Sequence, residues 1–115
     1  MLVVSLLAMY AFVNKEITAM IINRVLYAPF VEEGVYRVIV MGAFLRAMNK
    51  HVAVIISALL FAALHCAVYD PGVFNPIHLA AGIIMGYVFI WGKNLGLNTA
   101  IHALGNIGLM ALAML

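Results

Sequence analysis

Long apolar stretches separated by short polar ones set the pattern of this chain. Residues 1–13 are apolar apart from Ser5, and Asn14, Lys15 and Glu16 close them off. That is short of the about 20 residues a bilayer span needs, so a tilted or interfacial segment is predicted. Residues 17–27 are apolar but for Thr18, Asn23 and Arg24, and fit either the interface or the first turns of the following helix. Pro29 suits a first helical turn. From there a helix is predicted through Arg46, with Gly34 and Gly42 as small packing positions.

Asn49, Lys50 and His51 read as a polar turn. Residues 52–69 form the cleanest span, broken only by Ser57 and His65. Asp70-Pro71-Gly72 and Asn75-Pro76 are turn signals, and Pro76 opens a helix running to about Trp91. Residues 92–96 make a second turn, and the last helix runs from about Leu97 to the end. The apolar runs are long and do not alternate, which excludes strands. The predicted fold is all-α: a polytopic transmembrane helix bundle of four core helices plus an N-terminal apolar segment. Residues 1–28 are expected to form that segment and 29–115 the core.

Composition sharpens this reading. The chain is 68% hydrophobic and only 9% charged, against about 25% charged in soluble domains. It is an integral membrane protein by that measure. A formal charge of +2 is too small and scattered for nucleic acid as a partner. The single Cys66 has no internal disulfide partner. The first residues lack a basic n-region and a small-residue cleavage site, so no removable signal peptide is expected. Arg46, Lys50 and Lys93 fall at one predicted end and Lys15 and Arg24 at the other. The margin slightly favours the former facing the cytoplasm. Tyr69 and Trp91 sit where interfacial aromatics belong.

Against that background, VEEGVYR is an anomaly. A charge at the centre of a bilayer helix costs about 2.5–3.5 kcal/mol on insertion scales. Folding alone rarely places two acids and a base there. In a helix Glu33 and Arg37 share a face and can pair, while Glu32 points away from them with no local partner. Two further pairs at the same spacing lie in apolar helices: Phe61 with His65, and His102 with Asn106. Together they supply a base, further titrating groups and hydrogen-bond donors. That inventory suits peptide hydrolysis without a serine or cysteine nucleophile.

EEGVYR matches EExxxR, FAALH matches FxxxH and HALGN matches HxxxN. In this order and spacing they resemble the CPBP family, the CAAX prenyl protease type 2 and abortive-infection group of intramembrane glutamic proteases. The resemblance covers residues 29–109. It implies that Glu32 and His65 activate a water, that His102 and Asn106 stabilise the oxyanion, and that Glu33, Arg37 and Phe61 support them. It implies no cofactor and no metal. The substrate would be a peptide or protein at the membrane, CAAX-like, lipid-modified or carrying a C-terminal sorting signal. The location implied is a prokaryotic cell membrane.

Two competing readings stand beside this one. Glu32, His65 and His102 are a candidate metal-ligand set, although HExxH and the Glu-x-x-His pairs of di-metal bundles are missing. The stretch before residue 29 is shorter than the N-terminal helices usual in the family, which motivates a non-catalytic immunity or scaffold relative. Elsewhere, His51 is expected to be solvated and His78 to be capping or interfacial. Asn75 and Asn98 read as turn or cap residues. Depth poses one constraint. A helix starting at Pro29 puts Glu32 near one membrane face with His65, while His102 enters from the other. Convergence requires the Glu32 helix to begin earlier, nearer Arg24.

Overall fold

The computed structural model describes residues 2–69 and 71–115. The described residues form four rods, here α1 to α4, and no strand. α1 is one unbroken rod over residues 2–44. It is α-helical over Leu2–Ile21, π-helical over Ile22–Tyr27, α-helical over Ala28–Glu33, π-helical over Gly34–Met41 and α-helical again over Gly42–Phe44. α2 spans Lys50–Val68, α3 Pro76–Gly92 and α4 Leu95–Leu112. α1, α2 and α4 are each long and apolar enough to cross a membrane. The fold is the expected all-α membrane bundle.

α1 departs from the sequence reading in three ways. Asn14, Lys15 and Glu16 do not end a helix; they lie inside Leu2–Ile21. Pro29 does not begin one either. It sits at the start of an α-helical stretch inside the rod. Its missing N–H is tolerated because the preceding turns are π-helical, where hydrogen bonds reach back five residues and the ladder is already shifted. The helix that carries Glu32 therefore starts far earlier than Pro29, which meets the depth constraint. Gly34 and Gly42 are not sites of close approach: a Cβ on Gly34 would meet nothing within 4 Å, and one on Gly42 only Arg37 O at 3.9 Å.

Close approach occurs between α2 and α3. A Cβ on Gly82 would lie 3.0 Å from Ala58 Cα, and one on Gly86 2.9 Å from Val54 Cγ1. Two glycines one helical turn apart let the backbones touch, as packing in lipid requires. Asn49 caps α2 by accepting from the N–H groups of His51 and Val52. Asn75 caps α3 through the Ile77 N–H. Between these helices Pro71 and Gly72 make the expected turn, with Gly72 at φ +82°; Asp70 lies outside the described residues. α4 begins at Leu95, capped by Asn94 through the Leu97 N–H.

Most outward side chains of α2 to α4 are apolar and exposed, such as Ile55, Leu59, Ile84 and Leu104, as suits rods whose solvent is lipid. The centre is polar. Glu33, Arg37, Ser57 and Asn98 are fully buried. Beside them Met41, Ala53 and Val54 form an apolar cluster toward the end where α2 begins. The Leu2–Ile21 part of α1 keeps its large apolar side chains exposed, and the described chain reaches 66 Å along its longest axis.

Candidate active site

α1 contributes adjacent glutamates whose side chains diverge, as neighbours on a helix must. Glu33 turns inward. Its Oε2 accepts from Arg37 Nε at 2.9 Å and from Asn98 Nδ2 at 3.0 Å, and its Oε1 lies 2.8 Å from His102 Nδ1. Three donors from two helices thus converge on one buried carboxylate. Arg37 also reaches Ser57 Oγ at 3.4 Å, and that hydroxyl donates to Tyr36 O at 3.0 Å. This network ties α1 to α2 and α4 at the level of the glutamates.

Glu32 turns toward a cavity. Its Oε2 lies 3.5 Å from His102 Nε2 and 3.8 Å from His65 Nε2. All three side chains are partly exposed, at 13–19%, so they meet the cavity rather than the lipid. Phe61 is buried behind them. Its ring packs against that of His65 at 4.2 Å, tilted by 44°, and meets His102 edge-on at 6.0 Å. The guanidinium of Arg37 lies 5.5 Å from the centre of the same ring.

The partners of each imidazole fix its tautomer. His65 Nδ1 lies 2.9 Å from Phe61 O. A carbonyl oxygen only accepts, so Nδ1 carries the hydrogen, and Nε2 of the neutral ring faces Glu32 with a lone pair. His102 Nδ1 faces the Glu33 carboxylate, which likewise only accepts. Its Nε2 then points at Glu32 and the cavity, and becomes a donor when the ring is charged. The 3.5 and 3.8 Å separations exceed direct hydrogen-bond reach.

The cavity holds about 590 Å³ and is lined by residues of all four rods. Glu32, His65, His102 and Asn106 all line it, along with Phe61 and His78. Asn106 has a second engagement: its Nδ2 donates to Arg24 O at 2.8 Å. That carbonyl lies in the first π-helical stretch. The Ala28 N–H bonds Asn23 O, and Pro29 has no N–H to offer Arg24. The Asn106 amide fills the position the proline left vacant.

Every residue singled out at the glutamates, FxxxH and HxxxN thus lies at or beside one cavity. Two others, Asn98 and His78, were read too blandly. Asn98 is no cap. It is buried, holds Glu33, and donates to Met85 O at 2.8 Å. Its position four residues before His102, on the same face, was the available signal. His78 lies in the cavity wall with its ring 4.5 Å from that of His65. Nothing in its sequence neighbourhood marks it, because the contact comes from the α2–α3 packing. His51 is exposed as expected, and its Nδ1 lies 2.7 Å from the Tyr87 hydroxyl. Among the described residues no group of three or more His, Cys, Asp or Glu is arranged to hold a metal ion.

A family model described as Type II CAAX prenyl endopeptidase Rce1-like matches residues 14–108. No curated protein and no solved structure matches the chain. The family match includes all three motifs and takes in most of the bundle. The chain is therefore an integral membrane protein that belongs to the type II CAAX prenyl endopeptidase Rce1-like family, a family of proteases.

Proposed function

We propose that this protein is a glutamic-type intramembrane endopeptidase, acting without a metal on a peptide presented at the membrane. The observation that carries this reading is the approach of one Glu32 oxygen to Nε2 of both His65 and His102 in an open cavity. A water between Glu32 and His65 would donate one hydrogen to each. Its oxygen then attacks the scissile carbonyl carbon as one proton passes to Glu32. With His102 protonated on both nitrogens, Nδ1–H toward Glu33 and Nε2–H toward the cavity, that Nε2–H and the second amide hydrogen of Asn106 meet the charge that develops on the carbonyl oxygen. The C–N bond breaks, and the proton held by Glu32 passes to the leaving amine.

Phe61 holds the His65 ring by a tilted ring contact, and Glu33 holds His102 by its Nδ1. Ile77, Ile84 and Leu109 give the cavity apolar walls, which supports a substrate with a lipid or apolar side chain next to the cleaved bond. The test uses protein reconstituted in vesicles and a quenched fluorescent peptide ending in a CAAX-like sequence, prenylated or not. Glu32→Gln and His65→Ala are expected to abolish cleavage, while a chelator leaves the parent protein active. Full activity in either variant removes the reading, and loss of activity with chelator that zinc restores replaces it with a metal-dependent one.

A further inference from the structure

The end of the bundle away from the glutamates carries a second feature that the proposed chemistry does not use. Arg46, Lys50 and Lys93 fall there, in the turn after α1, at the first residue of α2 and just after α3. The acids in the described residues, Glu16, Glu32 and Glu33, all lie further back along α1. None of them forms an ion pair with these three cations; Glu32 and Glu33 pair with Arg37, His65 and His102. Lys50 and Lys93 flank a groove of about 420 Å³ whose remaining lining is Leu45, Phe89 and Ile90.

Lys50 carries its charge against local preference, and Lys93 holds a backbone conformation against it. Lys50 is the first residue of α2, where the helix dipole presents positive charge and favours an acid. Lys93 ends α3 in the left-handed region at φ 46°, ψ 36°, a conformation that glycine adopts without steric cost and lysine does not. Residues placed against local rules call for a compensating interaction. An anion would supply one for Lys50, and Lys93, lining the same groove, adds a second positive charge to hold it.

The surroundings identify that anion. Trp91 is 78% exposed and its ring pairs with that of Tyr87 at 6.0 Å. Amphipathic rings on one level of a membrane bundle mark the headgroup layer. At that depth a lysine pair over an apolar groove matches a lipid with a charged head and acyl chains. We propose that this groove binds an anionic phospholipid. Its phosphate sits between Lys50 and Lys93, and a chain lies along Leu45, Phe89 and Ile90. The binding is independent of the proposed proteolysis and would stand if that reading failed.

Trp91 is the only tryptophan in the sequence, and it lies two residues from Lys93. It reports local lipid composition directly. The protein is reconstituted in phosphatidylcholine vesicles containing a minor fraction of brominated phosphatidylglycerol or, separately, brominated phosphatidylcholine. Quenching of Trp91 should show the glycerol lipid enriched near the groove by about fivefold for each lysine, the scale of one basic side chain at an anionic membrane surface. Lys50→Gln with Lys93→Gly should bring the two lipids level. The Lys93→Gly change relieves the left-handed backbone, so loss of preference is not a folding defect, and unchanged quenching by the choline lipid verifies that. Equal quenching in the parent protein, or a preference that survives both substitutions, overturns the proposal. Inorganic phosphate, added against chloride at equal ionic strength, should leave the preference intact. Its abolition would make this a soluble-phosphate site and overturn the lipid assignment.

Discussion

The Glu33 carboxylate lies 2.8 Å from Nδ1 of His102, across two helices and with no exposure to the cavity. It is the fixed neighbour of a ring whose other nitrogen faces Glu32. Glu33→Gln removes that acceptor-only partner, since an amide presents a donor as readily as an oxygen. His102 would then lose the anion that faces its Nδ1–H and supports the charged ring whose Nε2–H donates to the oxyanion. The expected result is a fall in kcat of up to about 10⁴, the loss seen when the orienting carboxylate of a catalytic histidine becomes an amide, with KM little changed. Peptide cleavage kinetics on reconstituted protein measure both. A proportionate rise in KM with kcat intact would show that Glu33 acts on substrate binding instead.

Arg37 and Glu33 form an ion pair with neither side chain exposed. Removing Arg37 leaves Glu33 charged and buried with only Asn98 and His102 as partners, a loss of up to the about 3–5 kcal/mol that breaking a buried pair costs. Arg37→Met is expected to destabilise the bundle by that amount in equilibrium unfolding from mixed micelles. Combining it with Glu33→Gln should return part of the loss, because the uncompensated charge is gone. If the double variant is as unstable as the sum of the singles, the pair is not the source of the effect.

Much of this arrangement was legible in the chain, and the reasons are local. Asn75 and Pro76 stand just before an apolar run, so the start of α3 was legible, whereas reading Asn49, Lys50 and His51 as a turn put the start of α2 at Val52 instead of Lys50. EExxxR, FxxxH and HxxxN use a spacing that puts both members on one helix face. What escaped were features set by neighbours. Asn14, Lys15 and Glu16 look like a terminus only if polar residues must end an apolar helix, and the rod simply continues through them. Pro29 looked like a helix start because its compensation, the shifted ladder and the Asn106 amide, comes from π-helical geometry and a residue far along the chain. Asn98 resembled its capping neighbour Asn94 in type, and only the position of Glu33 separates their roles.

Gly82 and Gly86 are the points where α3 touches α2. Gly82→Ala would put its Cβ 3.0 Å from the Ala58 backbone, and Gly86→Ala would press on Val54. Each should cost about 1–3 kcal/mol by overpacking. Gly105→Ala and Gly108→Ala meet nothing within 4 Å, and alanine is the better helix former by about 1 kcal/mol. They should be neutral or stabilising. Thermal unfolding of the four variants in one detergent checks the contrast. Equal losses at all four would mean that helix flexibility, not contact, is what the glycines provide.

Asn106 has two tasks in this scheme, and Pro29 allows them to be separated. Its Nδ2 donates to Arg24 O, a carbonyl that residue 29 cannot reach because proline lacks the hydrogen. Asn106→Ala leaves that carbonyl unmatched, which costs about 1–3 kcal/mol if it stays dry. It also removes one oxyanion donor, worth about 10²–10³ in kcat. Pro29→Ala restores a backbone N–H within reach of Arg24 O. The double variant Pro29→Ala with Asn106→Ala should therefore recover stability while remaining catalytically impaired. Recovery of both would assign Asn106 to holding α1 and α4 together and leave His102 as the sole oxyanion donor.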